Sequence, residues 1–312
     1  MTKVLVFDGV SQVAVQTLQD AGLEVVSSPQ HQDRDFTDYP DIEAMILMMH
    51  PITAEIMDQL PNLKVIARFG VGYDNVDVQA ASERGIVVTN TPGANATAVA
   101  ETAITLMLMA GRFFASRQAQ ITDPLAKNYA QAHPGIQLSD KTVGILGFGH
   151  IGQKIAHMLT GFNAKVLVYA RHDYPVVNGH MANLDEIFTT ADYVVSALPG
   201  TAATQNLIDQ AAFKKMKSTA VLVNVGRGSV VDEPALIQAL KTGEISSAGL
   251  DVVAQEPIRA DNELLSLPNA FVLPHVASVS QEALDEVGTL AAQNILQVLA
   301  GKTALNPVNE KG

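Results

Sequence analysis

Residues 141–156 read KTVGILGFGHIGQKIA, and the fold turns on how that run is understood. A short apolar strand, VGIL, leads into Gly147, Gly149 and Gly152 in the spacing GxGxxG. The glycines open a helical pattern with Ile151, Ile155, Ala156 and Leu159 on its apolar side. A tight turn, close approach of backbone to a pyrophosphate, and close packing of helix on strand each demand a residue without a side chain. The phosphates would be held by the N–H groups and dipole at the helix N-terminus. A lone GxGxxG is weak evidence, because a chain with 22 glycines can form a tight turn that binds nothing. The strand before it and the helix after it are what favour a dinucleotide site.

The next strand tests that reading. It runs VLVYARHD, residues 166–173, where an NAD site usually ends in an acidic residue that accepts hydrogen bonds from the adenosine ribose. Ala170 cannot accept those bonds. Arg171 can make a bidentate contact with the 2'-phosphate of NADP, so NADP(H) is the preferred cofactor and NAD(H) a permitted one. The alternative is a solvated Arg171, with Asp173 taking the acidic role.

Around this segment the chain alternates short apolar runs with helix-length segments, which is the rhythm of parallel sheets. KVLVFD, LEVVS, AMILMM, KVIAR and GIVVTN come first. A long helix is expected from about Ala96 to Arg117, then an irregular stretch to residue 140. AKVLVYA, YVVSAL, AVLVNV, SAGLDV and AFVLPH follow the glycine turn. A last helix, about Gln281 to Leu299, has one apolar face. The ALNPV that follows can return to the first half of the chain, which would leave the nucleotide domain inserted in the other.

Composition narrows the function. The 312 residues, 47% of them apolar, suffice for two domains with sizeable cores. A formal charge of -12 argues against nucleic acid or anionic membrane as a general partner. With no cysteine, thiolate chemistry is excluded, and the eight His show no metal-ligand spacing, so no metal is expected. MTKVLVFDG lacks the pattern of a signal peptide, and Glu101 interrupts the most apolar helix, so the expected location is cytoplasmic.

Three later segments carry ionisable residues near strand ends, where open parallel sheets bind ligands. They are NVGRGSVVDEPAL with Arg227, SAGLDVVAQEP with Glu256, and VLPHVAS with His275. Glycines on either side of Arg227 would let the backbone turn sharply. The fork of an Arg suits a carboxylate. Hydride transfer to a carbonyl leaves an alkoxide that a His can protonate, and a nearby Glu would favour the imidazolium and fix the ring. Taken singly, Arg227 and Glu256 fit a structural ion pair equally well, and His275 a satisfied His at a strand end.

Read together, ARFGVGYDNVD (67–77), NTPGANATAVAETA (90–103), the glycine turn, NVGRGSVVDEPAL (224–236), GLDVVAQEP (249–257) and LPHVAS (273–278) resemble the D-isomer-specific 2-hydroxyacid dehydrogenases. That family includes glyoxylate/hydroxypyruvate reductases and 3-phosphoglycerate dehydrogenases. The resemblance implies an α/β fold, with a Rossmann-type dinucleotide-binding domain (100–287) inserted in a flavodoxin-like catalytic domain (1–99 with 288–312). It implies that Arg227 binds the substrate carboxylate, that His275 is the general acid and that Glu256 orients it. Backbone N–H groups of Val71 and Gly72 would also hold the carboxylate, and hinge closure would bring them over Arg227. Asp251 matches the residue that binds the nicotinamide carboxamide, and His150 and Ile151 occupy the pyrophosphate turn. Thr102, Pro199, Thr204, Val225, Gly226 and Ser278 match positions lining the cofactor cleft. A homodimer joined through the nucleotide domains and an arm at about 118–140 is implied as well.

Departures from the family pattern are Ala170, Ala197 where many members have His or Cys, and the absence of Trp from the arm. The expected activity is NADPH-preferring reduction of a small 2-oxoacid to the D-2-hydroxyacid. 3-Phosphoglycerate dehydrogenase is the alternative, with Arg68 as a candidate phosphate contact. A dinucleotide-sensing corepressor-like protein is a weaker third reading. Arg68, Tyr73 and His50 are candidates for the substrate side-chain pocket.

Overall fold

The structure, a computed structural model, describes residues 1–28 and 36–309. It divides into two compact units, Met1–Asn95 with Val279–Gly312, and Ala96–Ser278.

In the first unit β1 (Lys3–Phe7), β2 (Glu24–Ser28), β3 (Ile42–Leu47), β4 (Val65–Arg68) and β5 (Val87–Thr89) form a parallel sheet in the order β2-β1-β3-β4-β5. Both faces are covered, which is why these strands read as nearly unbroken apolar runs. On one face Val4, Val6, Ala44, Ile46, Val65 and Ala67 pack against helices α1 (Gln12–Asp20) and α11 (Gln281–Leu299). On the other, Leu5, Phe7, Met45, Leu47 and Ile66 meet α2 (Ala54–Asp58) and α3 (Val78–Glu83). Ser280 caps α11 by accepting from the Ala283 N–H. Beyond that helix the tail returns to the exposed edge of β5: Pro307 bridges Thr89, and the Val308 N–H donates to the Val88 carbonyl at 2.8 Å. Proline suits an edge, where its missing N–H breaks no ladder.

The second unit begins with α4 (Ala96–Gly111), α5 (Phe114–Ala119) and α6 (Ala126–Ala132). Its sheet comprises β6 (Thr142–Leu146), β7 (Lys165–Tyr169), β8 (Gly179–Met181), β9 (Tyr193–Ser196), β10 (Val221–Asn224), β11 (Ser247–Leu250) and β12 (Ala270–Val272). All are parallel, in the order β12-β11-β10-β9-β6-β7-β8. Helix α4 and α7 (His150–Leu159) cover one face. Helices α8 (Leu184–Thr190), α9 (Gln210–Lys215) and α10 (Glu233–Thr242) cover the other. Strand order reverses at β6, which pairs with β7 on one side and β9 on the other. A crevice at the carboxyl ends of strands opens at such a reversal.

Three expectations need correction. The helix expected over 96–117 breaks after Gly111, whose carbonyl accepts from the Ile136 N–H at 2.9 Å, and Phe113 turns left-handed at φ 54°. The stretch after it is not wholly irregular, since it contains α6. Domain limits at 99/100 and 287/288 would cut α4 and α11, whereas the units part just before each helix. A hydrogen-bonded helix stays with the sheet its apolar face covers. Among the described residues no helix is long and apolar enough to cross a membrane.

Candidate active site

The glycine turn joins β6 to α7, and each of its glycines meets a different demand. Gly147 has φ +94°, and a Cβ there would stand 2.9 Å from the Ala197 carbonyl oxygen. At Gly152 a Cβ would stand 2.1 Å from the Gly147 carbonyl oxygen, so helix and strand could not close. A Cβ on Gly149 would meet nothing within 4 Å. Open space over the middle glycine, with His150 and Ile151 starting the helix beside it, is the cradle a pyrophosphate fits.

Arg171 lies in a short loop held against this turn at both ends. Before it, the Tyr169 carbonyl accepts from the Gly147 N–H at 2.9 Å. After it, the Tyr174 ring packs edge-on against Phe148, with centroids 5.4 Å apart. Arg171 is exposed and has no hydrogen-bond or ion-pair partner among the described residues, and Ala170 supplies no acceptor. This geometry fits a dinucleotide carrying a 2'-phosphate better than one with a bare ribose.

The adjacent strands β10, β11 and β12 deliver the three ionisable residues from their carboxyl ends. Arg227 follows β10 between Gly226, where the chain bends, and Gly228, which opens a 3-10 turn to Val230. A Cβ on Gly226 would stand 2.4 Å from the Leu198 carbonyl oxygen, and one on Gly228 would stand 1.8 Å from that of Val253. The glycines let neighbouring loops close on either side of Arg227. Asn224, buried at the end of β10, donates to the Arg227 carbonyl at 2.9 Å and accepts from the Gly226 N–H at 3.1 Å. The Arg227 Nη1 donates to the Gly226 carbonyl at 2.9 Å.

His275 follows β12 with φ 56°, a left-handed backbone that costs a non-glycine residue about 1 kcal/mol or more and clusters at functional sites. Asp251, 2% exposed, holds it there. The Asp251 carbonyl accepts the His275 N–H at 2.9 Å, and its carboxylate accepts the N–H groups of Val276 at 2.8 Å and Ala277 at 3.0 and 3.1 Å. From α4, the Thr102 hydroxyl donates to the Ala277 carbonyl at 3.1 Å, next to half-buried Ser278.

Glu256 meets the ring itself, its Oε2 lying 2.6 Å from His275 Nδ1. Its Oε1 accepts the Val253 N–H at 3.2 Å. Partial burial pushes the Glu256 carboxyl up, but the His275 hydrogen bond and charge, the Val253 N–H and the Arg227 charge outweigh it and hold the group below the ordinary carboxylate value. Among the described residues Glu256 forms an ion pair with His275. Glu233, at the start of α10, steadies the Glu256 loop by accepting from the Ala254 N–H at 2.9 Å.

Of the remaining candidates, the Thr204 hydroxyl closes its own loop, donating to the Pro199 carbonyl at 2.6 Å and accepting from the Thr201 N–H at 2.9 Å. Val225 is buried, its N–H on the Ser196 carbonyl at 3.0 Å. The Ala197 backbone lies against both Gly147 and Gly226.

In the first unit Val71 and Gly72 lie in the loop after β4, half-buried. His50 points into the core, 5.1 Å from the Phe7 ring and 5.3 Å from the Phe36 ring. The Arg68 guanidinium donates to the Phe69 carbonyl and reaches the Met49 sulfur at 3.4 Å. Tyr73 is exposed. Among the described residues no group of three His, Asp or Glu could hold a metal.

Asn224 and Glu233 were missed from sequence, as was the hold of Asp251 on the His275 loop. Asn224 ends β10 and bonds to its own loop, whereas Asp251 and Glu233 serve backbone groups of other loops.

Residues 104–277 match the family model for the NAD binding domain of D-isomer specific 2-hydroxyacid dehydrogenases. A glyoxylate reductase of Pyrococcus furiosus is 38% identical over 281 residues, 87% of this chain and 83% of that protein. A D-3-phosphoglycerate dehydrogenase of Archaeoglobus fulgidus is 35% identical over 98% of this chain, which spans 59% of that protein's length. An NADPH-dependent glyoxylate/hydroxypyruvate reductase of Sinorhizobium meliloti, solved with NADP and malonate, superposes with a TM-score of 0.85 at 32% identity, covering 99% of this chain and 97% of that one.

Proposed function

Since the chain belongs to the D-isomer specific 2-hydroxyacid dehydrogenase family, we propose that it reduces a small 2-oxoacid of the glyoxylate or hydroxypyruvate type to the D-2-hydroxyacid, using NADPH in preference to NADH. The observation that carries this is the His275–Glu256 pair at 2.6 Å, with the Arg227 charge acting on the same carboxylate.

Arg227 binds the substrate carboxylate and polarises the carbonyl. His275 Nε2, the ring nitrogen not turned to Glu256, gives its proton to the carbonyl oxygen, and Glu256 holds the ring through Nδ1. NADPH, when bound, supplies the hydride that the carbonyl carbon accepts, so one hydride and one proton give the alcohol. Asp251 has a buried carboxylate suited to the carboxamide but also positions the His275 loop. Gly147, Gly149, Gly152, His150 and Ile151 receive the pyrophosphate, and Arg171 the 2'-phosphate. Thr102, Pro199, Thr204, Val225, Gly226 and Ser278 shape the cofactor site around them. Val71 and Gly72 add N–H donors for the substrate carboxylate.

Glyoxylate reductases among the relatives and a solved NADPH-dependent reductase support the substrate class and the cofactor preference. Exposed Phe114, Ile121, Leu125 and Tyr129 on and around α5 and α6 support a homodimer formed through that segment; light scattering at twice the chain mass would be the expected result. The test of function compares initial rates with glyoxylate, hydroxypyruvate and a branched 2-oxoacid, each with NADPH and NADH, against oxidation of 3-phosphoglycerate. Turnover of glyoxylate or hydroxypyruvate with an NADPH advantage of about tenfold, or roughly 1.4 kcal/mol, is expected. Oxidation of 3-phosphoglycerate with NAD in their place would overturn the reading.

A further inference from the structure

In the first unit, the loop after β4 has its successive carbonyls tied down. The Phe69 carbonyl takes Arg68 Nη1, the Gly70 carbonyl takes the Thr91 N–H at 3.0 Å, and the Val71 carbonyl takes Asn90 Nδ2 at 2.8 Å. In a trans peptide the C=O of one residue and the N–H of the next point in opposite directions. Fixing the Gly70 and Val71 carbonyls on Asn90 and Thr91 therefore turns the N–H groups of Val71 and Gly72 away from that segment. Neither N–H has an acceptor among the described residues. Two successive unpaired N–H groups form a concavity suited to an anion.

Asn90 is itself held. Its N–H donates to the Asn306 carbonyl at 3.3 Å. Asn306 is locked to buried Asn294 of α11, which accepts the Asn306 N–H at 2.9 Å and donates to its Oδ1 at 3.3 Å. Further along the tail, the Asn309 side chain accepts the Val88 N–H at 2.7 Å and donates to the Ile86 carbonyl at 2.9 Å. The far end of the loop is pinned by Asn75, which donates to the carbonyls of Met48 at 3.1 Å and His50 at 2.7 Å.

We propose that Asn90 is a positioning residue for substrate binding: its amide holds the Val71–Gly72 peptide so that both N–H groups present to the substrate carboxylate, and the returning C-terminal tail anchors it through Asn306 and Asn294. The proposal rests on the reading of the chain as a 2-oxoacid reductase. It gives the tail a role in substrate affinity beyond covering the edge of β5.

The test uses the full chain with NADPH. Asn90→Asp keeps the side-chain shape but replaces the donating Nδ2 with an oxygen, and Asn90→Ala removes the side chain. Both are compared with wild type for glyoxylate kinetics, for calorimetric binding of oxamate, an unreactive 2-oxoacid isostere, and for NADPH affinity. The expected result is a KM for glyoxylate and a Kd for oxamate each raised at least tenfold, with kcat within about threefold and NADPH affinity unchanged, as loss of uniform substrate binding requires. A purely structural role would instead lower kcat and NADPH affinity together. Asn306→Ala, which keeps the carbonyl that Asn90 uses and the N–H that Asn294 accepts but loses the bond from Asn294 to the Asn306 side chain, is expected to raise KM about threefold, and it decides the matter should the Asn90 variants not fold. Wild-type KM and Kd in the folded variants would overturn the proposal alone. A wild-type protein that neither turns over glyoxylate nor binds oxamate would overturn the functional reading and this proposal with it.

Discussion

Replacing Glu256 by Gln keeps the shape of the group beside His275 and removes its charge. The 2.6 Å contact places the centres of carboxylate and imidazolium charge about 4 Å apart, where a pair is worth ~1 kcal/mol in water and ~4 kcal/mol at an effective dielectric of 20. With the His side chain 36% exposed and the Glu 31%, the pair falls between those limits, at about 2 kcal/mol. The His275 hydrogen bond and charge, with the Val253 N–H and the Arg227 charge, hold the Glu256 carboxyl below the ordinary carboxylate value against its partial burial, so wild type keeps the anion beside the ring well into the acid range. In the proposed reduction the ring carries the transferred proton beside that anion, and losing the charge should lower kcat for glyoxylate about thirtyfold at neutral pH. Initial rates at saturating NADPH and glyoxylate across the pH range, for wild type and Glu256→Gln, measure it. The deficit should close only as pH falls through the depressed Glu256 value, where wild type loses the same charge. A deficit equally large in acid would show that Glu256 only orients the ring, and a variant as fast as wild type at neutral pH would refute the electrostatic reasoning outright.

Removing the ring in His275→Ala should lower kcat by about 10²- to 10⁴-fold and change KM little, as steady-state kinetics would show; near-normal kcat would rule out His275 as the acid. Arg171→Ala should cost about tenfold in kcat/KM with NADPH and leave NADH rates alone; an equal loss with both cofactors would place Arg171 away from the 2'-phosphate. Gly149→Ala puts a methyl into open space, so it should leave thermal stability within about 0.5 kcal/mol while weakening NADPH binding at least tenfold, read by cofactor fluorescence. Asp192 is held below the ordinary carboxylate value: burial pushes it up, but Lys217 and the Thr142 N–H outweigh burial. A depressed folded value stabilises the protein above the unfolded value and is lost as pH falls through the folded one. Asp192→Asn should therefore lower Tm by a few degrees at pH 7, for about 1 kcal/mol, and the difference should vanish in acid; a gap that widened on acidification would contradict the sign.

What could be read from the sequence was what neighbours in the chain determine. The run VGIL, the glycine spacing and the helix behind it are contiguous, and so are Ala170 and Arg171 at the end of β7. Arg227, Glu256 and His275 were singled out because each follows a strand of one parallel sheet, and β10, β11 and β12 are neighbours in that sheet. The glycines around Arg227 meet a second demand that the sequence hides, since Leu198 and Val253 on other loops leave no room there for a Cβ. The end of α4 was missed on similar grounds, because the Gly111 carbonyl is taken by the N–H of Ile136. β8 escaped notice because GHM has neither an apolar run nor alternation.

The long-range contacts share a pattern that bears on how the chemistry is organised. A reacting group on a loop is useful only if its position is held to a fraction of an ångström, and loops lack a ladder of their own to hold them. Here the support comes from buried Asp251 and Asn224 at strand ends and from partly exposed Glu233 at the start of α10, whose side chains bond to the backbone of the functional loops. Asp251 holds the left-handed turn at His275, Asn224 the loop at Arg227, and Glu233 the loop at Glu256. Breaking the bonds of Asp251 or Asn224 costs more than a surface contact, because it leaves a buried polar group unpaired, a loss of about 1 to 3 kcal/mol. Asp251 is the most heavily committed, accepting from two successive N–H groups through its carboxylate and from His275 through its own carbonyl. Its replacement by Asn would put an N–H₂ in front of a backbone donor and release the φ 56° turn that carries the ring. In the proposed reaction the rate of proton donation therefore depends on a carboxylate that never needs to touch the proton.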